Sequence, residues 1–377
     1  MRGIALIMIF INHIPGNVMG NFTSRNIGMS DSAEIFVLLA GFAAASAYYQ
    51  RFAGGYALAT SVRVFRRAGL LYTAHILCTM LALALFSSAT LALSEPELIR
   101  KINILMVIQD PVRSFVGIVT LSHQLGFFNI LPLYIVLLVT LPITMSGYRH
   151  DWRLLLAGSV ALYLIAITWR LTLPSYPGED TWFFNPLAWQ LLFIIGFIWG
   201  VRIKAGEAIP YHPVVFWCAC LYAALAFIWV QVSIWDLFPK SLMANPLWSI
   251  SKTYLSPLRL LHVLALAYVI GMSPVAGWLK RIPVTNFVVQ MGQHALPVFC
   301  AGSLLSMALL IAREKFGGGI LVDVSIVAIG VALQAVLAWF LAWQARSPAG
   351  QVGSAAAGGF MAGPPAVMPP PLPPLSR

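Results

Sequence analysis

The stretch PVVFWCACLYAALAFIWVQVSI, residues 213–234, carries no charged side chain along its whole length. At 1.5 Å per residue, a helix of this length covers the roughly 30 Å hydrocarbon core of a bilayer. Working outward from it, nine further apolar segments of comparable character lie at 3–15, 32–49, 68–86, 127–145, 153–171, 187–201, 257–273, 287–311 and 320–342. The chain as a whole agrees: 377 residues, 60% apolar and 9% charged, with a mean hydropathy of +0.84. Soluble proteins average about half apolar and a quarter charged. The fold class expected is all-α, a polytopic integral membrane protein of about ten transmembrane helices.

Twenty-three Lys and Arg against twelve Asp and Glu give a net charge of +11. No polar domain exists to carry that charge as a basic stripe, so no nucleic-acid partner is expected. The charge reads as topology instead. Placing the N-terminus in the cytoplasm puts Arg51, Arg63, Arg66, Arg67, Arg149, Arg153, Arg202, Lys204, Lys280, Arg281 and Arg346 inside, opposed there by Asp151 and Glu207. The outer loops then hold Asp31, Glu34, Glu95, Glu97, Asp110, Glu179, Asp180, Asp236 and Glu314. The positive-inside rule favours this orientation, with both termini cytoplasmic. Cys78, Cys218, Cys220 and Cys300 lie inside apolar runs without metal-ligand spacing, so they read as small core residues and no metal site is expected.

Residues 1–344 form the expected membrane domain, and the Gly/Ala/Pro-rich stretch 345–377 a disordered tail. The first segment is short for a span, because Pro15-Gly16-Asn17 follows Met1 so soon; a truncated start is expected there. The longest outer loop, 87–124, includes an amphipathic stretch from Glu97 to Val107 expected to lie on the surface as a helix. Trp182, Trp235 and Trp248 sit in outer loops as an aromatic belt.

Ionisable groups inside a membrane are costly unless they face a cavity or a partner. Arg2 and His13 are eleven positions apart, which at 100° per residue puts them within roughly 20° of one helix face and about 16 Å apart in rise. Pro15 and Gly16 end that helix and could open a cavity beside the imidazole. The plain alternative makes Arg2 a membrane anchor and His13 a packing residue. Arg63, Arg66 and Arg67 have i, i+3, i+4 spacing at the start of the third helix, a cluster suited either to phosphate groups or to lipid headgroups. Asp31 and Glu34 have capping-box spacing at the start of the second helix; the functional alternative has them orient His13. His75, His294 and Asp323 are further intramembrane polar groups, and Pro297 should break the ninth helix locally. His123, His150, His212 and His262 fall near predicted boundaries, where snorkelling needs no special role.

The run from Arg2 through His13 to Asn17 resembles the start of the OpgC family, membrane proteins associated with succinylation of osmoregulated periplasmic glucans. Further stretches resemble family motifs in the family order: Ser30 to Val37, Arg66-Arg67-Ala68 through Leu71 to His75, Asn129 to Tyr134, Asn185 to Gln190 and Gly292 to Phe299. The likeness runs from residue 2 to about 343. The family is similar to the wider group of ten-helix membrane carbohydrate O-acyltransferases, whose Arg, ten residues, then His is matched by Arg2 and His13. Their Arg-x-x-Arg is matched by Arg63 and Arg66.

The resemblance implies an enzyme of the bacterial inner membrane, an acyltransferase moving an acyl group, succinyl in this family, from cytoplasmic acyl-CoA to hydroxyls of a periplasmic glucan. His13 would be general base, or would carry an acyl-His intermediate. Asp31 or Glu34 would hold its tautomer, and Arg2, Arg63, Arg66 and Arg67 would hold the CoA phosphates. Acyl-CoA enters as co-substrate and no bound cofactor is expected; membrane lipid is a further partner, and a homo-oligomer is compatible with this reading. Two other classes fit the composition: a transporter or flippase for a glycan or small anion, using His13, His75, Asp31 and Asp323 as a path, and a purely structural membrane subunit.

Overall fold

The computed structural model describes residues 1–93, 98, 100, 102–178, 180–232 and 249–346. Glu95, Glu97, Glu179, Trp235, Asp236, Trp248 and the tail from residue 347 onward lie outside the described residues. Among the described residues the architecture is helical, with one isolated antiparallel bridge between Pro174 and Thr181. Besides two short turns of helix at Val18–Phe22 and Ser24–Ile27, the helices in chain order are α1 (Arg2–Asn12), α2 (Ser32–Ala53), α3 (Ala57–Leu93), α4 (Ile104–Gln109), α5 (Pro111–Val119), α6 (Ile130–Val139) and α7 (Leu141–Thr168). They continue with α8 (Pro186–Lys204), α9 (Pro213–Gln231), α10 (Pro257–Met272), α11 (Pro274–Arg281), α12 (Phe287–Gln293), α13 (Ala295–Phe316) and α14 (Ile320–Arg346).

Seven of these, α2, α3, α7, α8, α9, α13 and α14, are long and apolar enough to cross a membrane, and the pair α10–α11, bent by 74°, makes an eighth if read as one span. The chain is a multi-pass helical membrane protein. Full crossings at all ten expected segments are not what helix length supports. Segment 3–15 falls on α1 and segment 127–145 on α6, both apolar but short. At 1.5 Å per residue each rises only about 15 Å. α7 is itself two helices meeting at Asp151, whose φ of −160° and ψ of 116° are non-helical. Thr140, donating its N–H to the Val136 carbonyl at 3.0 Å, links α6 to the first half of α7.

Close contact between α2 and α8 organises the centre. A Cβ on Gly41 would lie 2.0 Å from the Phe193 carbonyl oxygen, and one on Gly196 would lie 2.1 Å from that of Leu38. One helical turn later Gly200 faces the Phe42 carbonyl in the same way, at 2.7 Å. The Gly196-x-x-x-Gly200 spacing thus lets two backbones touch where apolar side chains alone would hold them apart, the usual device for packing helices in lipid. At this crossing α2 contains a π turn over Ala45–Tyr49, and Lys204 donates to the Ser46 carbonyl at 2.8 Å. Gly41→Val should therefore lower stability by about 1–3 kcal/mol or more through overpacking. Thermal unfolding in detergent checks it, and an unchanged midpoint would mean the helices can separate freely.

Trp189, Phe193 and Phe197 of α8 are fully buried against this crossing. Trp182 is 5% exposed, so it belongs to the core and not to the expected aromatic belt. Cys78 is buried as a core residue, whereas Cys218 is exposed on the outer face of α9. The surface helix expected over 97–107 does not form as one piece, because Asn103 adopts a left-handed φ of 64° and α4 begins only at Ile104. The amphipathic helix is α5 instead. Its Val112, Phe115, Val116 and Val119 are exposed at helical spacing, and the Tyr72 hydroxyl of α3 donates to the Val119 carbonyl at 2.9 Å. The loop thus folds back along the bundle.

Candidate active site

α1 carries His13 at its C-cap, where the His13 N–H donates to the carbonyls of Ile9 and Phe10 at 3.0 and 3.2 Å. The helix is seated through Gly3, where a Cβ would lie 1.9 Å from the Val288 carbonyl of α12. After His13 the chain turns at Gly16, with φ at 77°, and Arg313 of α13 donates to the Gly16 carbonyl at 2.7 Å. Arg313 also pairs with Asp323 of α14 at 2.7 Å, while the Asp323 carboxylate accepts from the Val18 N–H at 2.9 Å. The Pro15–Gly16 turn is therefore pinned by an ion pair. Asp323 is a structural clasp that fixes where His13 ends up.

The cavity beside His13 is about 670 Å³, and its walls include Asn12, His13, Ser30, Asp31, Phe127 and Lys252. The imidazole lies 4.6 Å from the Phe127 ring, tilted by 37°. Its Nδ1 is buried without a hydrogen-bond partner. A cavity-lining imidazole held on one face by an aromatic side chain, with a nitrogen that no protein group satisfies, is equipped for proton transfer once a hydroxyl enters.

Asp31 and Glu34 form the capping box that their spacing predicts. The Asp31 carboxylate accepts from the Ala33 N–H at 2.8 Å and Glu34 accepts from the Asp31 N–H at 2.9 Å. Each carboxylate then spends its second oxygen on a cation from the far side of the sequence. Lys252 donates to Asp31 Oδ2 at 2.5 Å. Arg259 reaches Glu34 Oε1 through Nε and Nη2, both at 2.6 Å, and Asp31 Oδ2 at 3.5 Å. Two acids and two bases thus cancel in a buried cluster, the condition under which charges are tolerated away from water. Neither carboxylate hydrogen-bonds His13, so the expectation that one of them holds its tautomer is replaced. Asp31 and Lys252 act on the imidazole electrostatically across the cavity.

The arginines gather at the other end of α1. A smaller hollow of about 60 Å³ is lined by Arg2, Arg67 and Tyr134, and it shares Ile130 and Phe299 with the large cavity. Arg2 donates to the Leu39 carbonyl at 3.1 Å. The Tyr134 hydroxyl lies in the field of Arg2 and Arg67, and Tyr48 in that of Arg67 and Arg63. Arg66 is exposed and lines neither hollow. His75 is fully buried in α3 with both ring nitrogens unpartnered. His294 occupies the break between α12 and α13, three residues before Pro297, whose missing N–H falls harmlessly in the first turn of α13. Neither histidine lines the two hollows.

Sequence reasoning missed Lys252, Arg259, His262 and Phe183. His262 is 3% exposed and does not snorkel. Its Nδ1 meets the Ser30 N–H at 3.2 Å and the Ser30 hydroxyl at 2.7 Å, holding the cavity wall next to Asp31. Phe183 lines the cavity beside the buried Trp182, and Lys252 lies 5.8 Å from its ring centre. One signal was available. Arg259 stands in the first turn of α10, where the helix dipole disfavours a cation. Placed inside an apolar segment on the acidic side of the charge map, it needed a carboxylate, and Asp31 with Glu34 were the obvious unpaired pair. His150 and His212 are exposed, as boundary residues should be.

The OpgC protein family matches residues 1–346. The chain belongs to the OpgC family. Membership implies acyltransferase activity in a multi-pass membrane protein. Asn129, Ile130 and Tyr134 of this OpgC-family chain line its hollows, and Asn185 caps α8 by accepting from the Leu187 N–H at 3.1 Å. No curated protein and no solved structure matches it.

Proposed function

We propose that this OpgC-family protein is an O-acyltransferase of the bacterial inner membrane that moves an acyl group, succinyl by family, from cytoplasmic acyl-CoA to a hydroxyl of a periplasmic glucan. The observation that carries the reading is the adjacency of two hollows. Arg2 and Arg67 stand at one, His13 stands at the other, and Ile130 with Phe299 forms the wall between them. Guanidiniums suit CoA phosphates because each presents paired donors to phosphate oxygens. The rise of about 16 Å between Arg2 and His13 is then spanned by the extended pantetheine arm, whose thioester arrives beside the imidazole.

His13 takes the proton of the glucan hydroxyl as its oxygen attacks the thioester carbonyl. The new ester C–O bond forms, the C–S bond breaks, and the proton passes to the departing CoA thiolate. Lys252 lines the same cavity together with Arg25 and Arg259, and its charge supports the oxyanion of the tetrahedral intermediate. Asp31 and Glu34 serve the reaction by holding Lys252 and Arg259.

Binding of succinyl-CoA, acetyl-CoA and free CoA to detergent-purified protein tests the donor end. Arg67→Ala should weaken all three by about 10- to 100-fold, the value of a charge-assisted hydrogen bond of about 1.5–3 kcal/mol. Arg66→Ala should have the smaller effect, because that side chain does not line the hollow. Well-folded protein that binds no CoA compound would turn the assignment toward a carrier.

A further inference from the structure

Next to the catalytic cavity lies another large hollow, of about 630 Å³, within the range of about 300–1,000 Å³ usual for small-ligand sites. Its lining differs in kind. Gln109, His123, Gln124 and Asp180 face it along with Arg100, while Asn103, Asn129 and Phe183 are common to it and the cavity of His13. A molecule held there reaches the catalytic imidazole past those three shared side chains.

Two residues mark it as a built site. His123 and Gln124 are 6% and 7% exposed, yet Nε2 of the first and Oε1 of the second have no hydrogen-bond partner. Their other polar atoms are fixed. Gln124 Nε2 donates to the Leu121 carbonyl at 3.0 Å, the His123 N–H donates to the Gly117 carbonyl at 2.9 Å, and the His123 ring is bonded to the Asn103 backbone. Both side chains line the hollow, and these two atoms are the ones left without a partner. Burial pushes the His123 imidazole below its ordinary value, against the pull of the Asn103 bond, so the ring is neutral and its free Nε2 is an acceptor. Both unpartnered atoms thus call for a donor.

The backbone around them is strained in the same sense. Asn103, Leu121 and Phe127 all have left-handed φ values, 64°, 63° and 75°, unusual for residues other than glycine and concentrated where function demands a fixed shape. Phe183 is 44% exposed, its ring presented to both hollows while Lys252 holds one side. Acceptor atoms, planar amides, one carboxylate and a single open aromatic face suit an uncharged, hydroxyl-rich ligand. The opposite charges of Arg100 and Asp180 leave no demand for an ion.

We infer that this hollow is the subsite for the saccharide acceptor, with His123 Nε2 and Gln124 Oε1 accepting from sugar hydroxyls and Phe183 serving as the platform for a ring face. The assignment rests on the acyltransferase reading of the neighbouring cavity and names the acceptor half of that reaction. His123 and Gln124 touch substrate away from the reacting atoms, so they govern acceptor affinity and leave donor binding alone.

The test is calorimetric binding of short gluco-oligosaccharides to the purified full chain, with acyl-CoA binding and acyl transfer measured on the same samples. His123→Ala and Gln124→Ala should each weaken oligosaccharide binding and raise the acceptor KM by about tenfold, with kcat and acyl-CoA affinity near wild type. Asp180→Ala, an exposed position on the rim, should act in the same direction without risk to folding, so a buried variant that fails to fold leaves the test intact. Saccharide binding and acceptor KM unchanged in all the folded variants overturn the subsite, as does a folded wild type that binds no saccharide. Binding that depends on these residues in a protein that transfers no acyl group would keep the subsite and remove the acyltransferase reading.

Discussion

His13→Ala should reduce acyl transfer by about 10² to 10⁴, the usual worth of general acid–base assistance, with the fold and acyl-CoA binding retained. Retention follows from the contacts. The imidazole Nδ1 has no hydrogen-bond partner, and its ring contact in the structure is the Phe127 face at 4.6 Å, so removing it breaks no buried polar pair. The turn that follows is held by Arg313 and Asp323, which do not involve the side chain at 13. His13→Gln, of similar size and polarity but unable to take a proton, should be as inactive as alanine. Activity surviving in either variant would place the base elsewhere, and His75, buried with both nitrogens free, would be the next residue to replace.

The largest effect on stability is expected from Arg259→Ala. The guanidinium is 9% exposed and its partner Glu34 is fully buried, so the substitution strands a carboxylate in an apolar interior. Breaking such a pair from one side typically costs about 3–5 kcal/mol, far more than the pair itself contributes. Glu34→Gln in the same chain should restore much of the loss, because the amide oxygen still accepts from the Asp31 N–H and carries no charge to strand. Thermal unfolding of the four combinations gives the coupling directly. A melting shift for Arg259→Ala that is the same with and without Glu34→Gln would show that the ion pair is not what holds α10 to α2. Lys252 still neutralises Asp31 in every variant, so the helix cap should persist.

Much of the molecule could be read along the chain. The helical membrane architecture follows from segments such as 213–234, because covering a bilayer core with satisfied backbone leaves helices as the simplest solution for a long apolar run. The capping box at Asp31 and Glu34 is local and was legible for the same reason: both partners lie within one turn. Arg2 and His13 share a face by helix arithmetic alone. The shortness of α1 was legible from the Pro15-Gly16-Asn17 turn, whereas that of α6 was not, since apolar composition continues past the point where Thr140 caps the helix.

Other features depended on residues far apart in sequence. Arg259 meets Glu34 across 225 positions and Lys252 meets Asp31 across 221, and no periodicity within either segment records the pairing. Asp323 looked like a group on a proton path and is a clasp on the turn after α1. His123 and His262 looked like boundary residues and are buried against different partners. The sequence by itself determined the membrane class, its helical character and the shared face of Arg2 and His13, because hydropathy and helical period are properties of neighbouring residues. The tertiary structure alone decided which charges cancel, which histidines face a cavity and where the two hollows meet, because those depend on close approaches such as Gly41 on Phe193 that bring distant segments within hydrogen-bonding range.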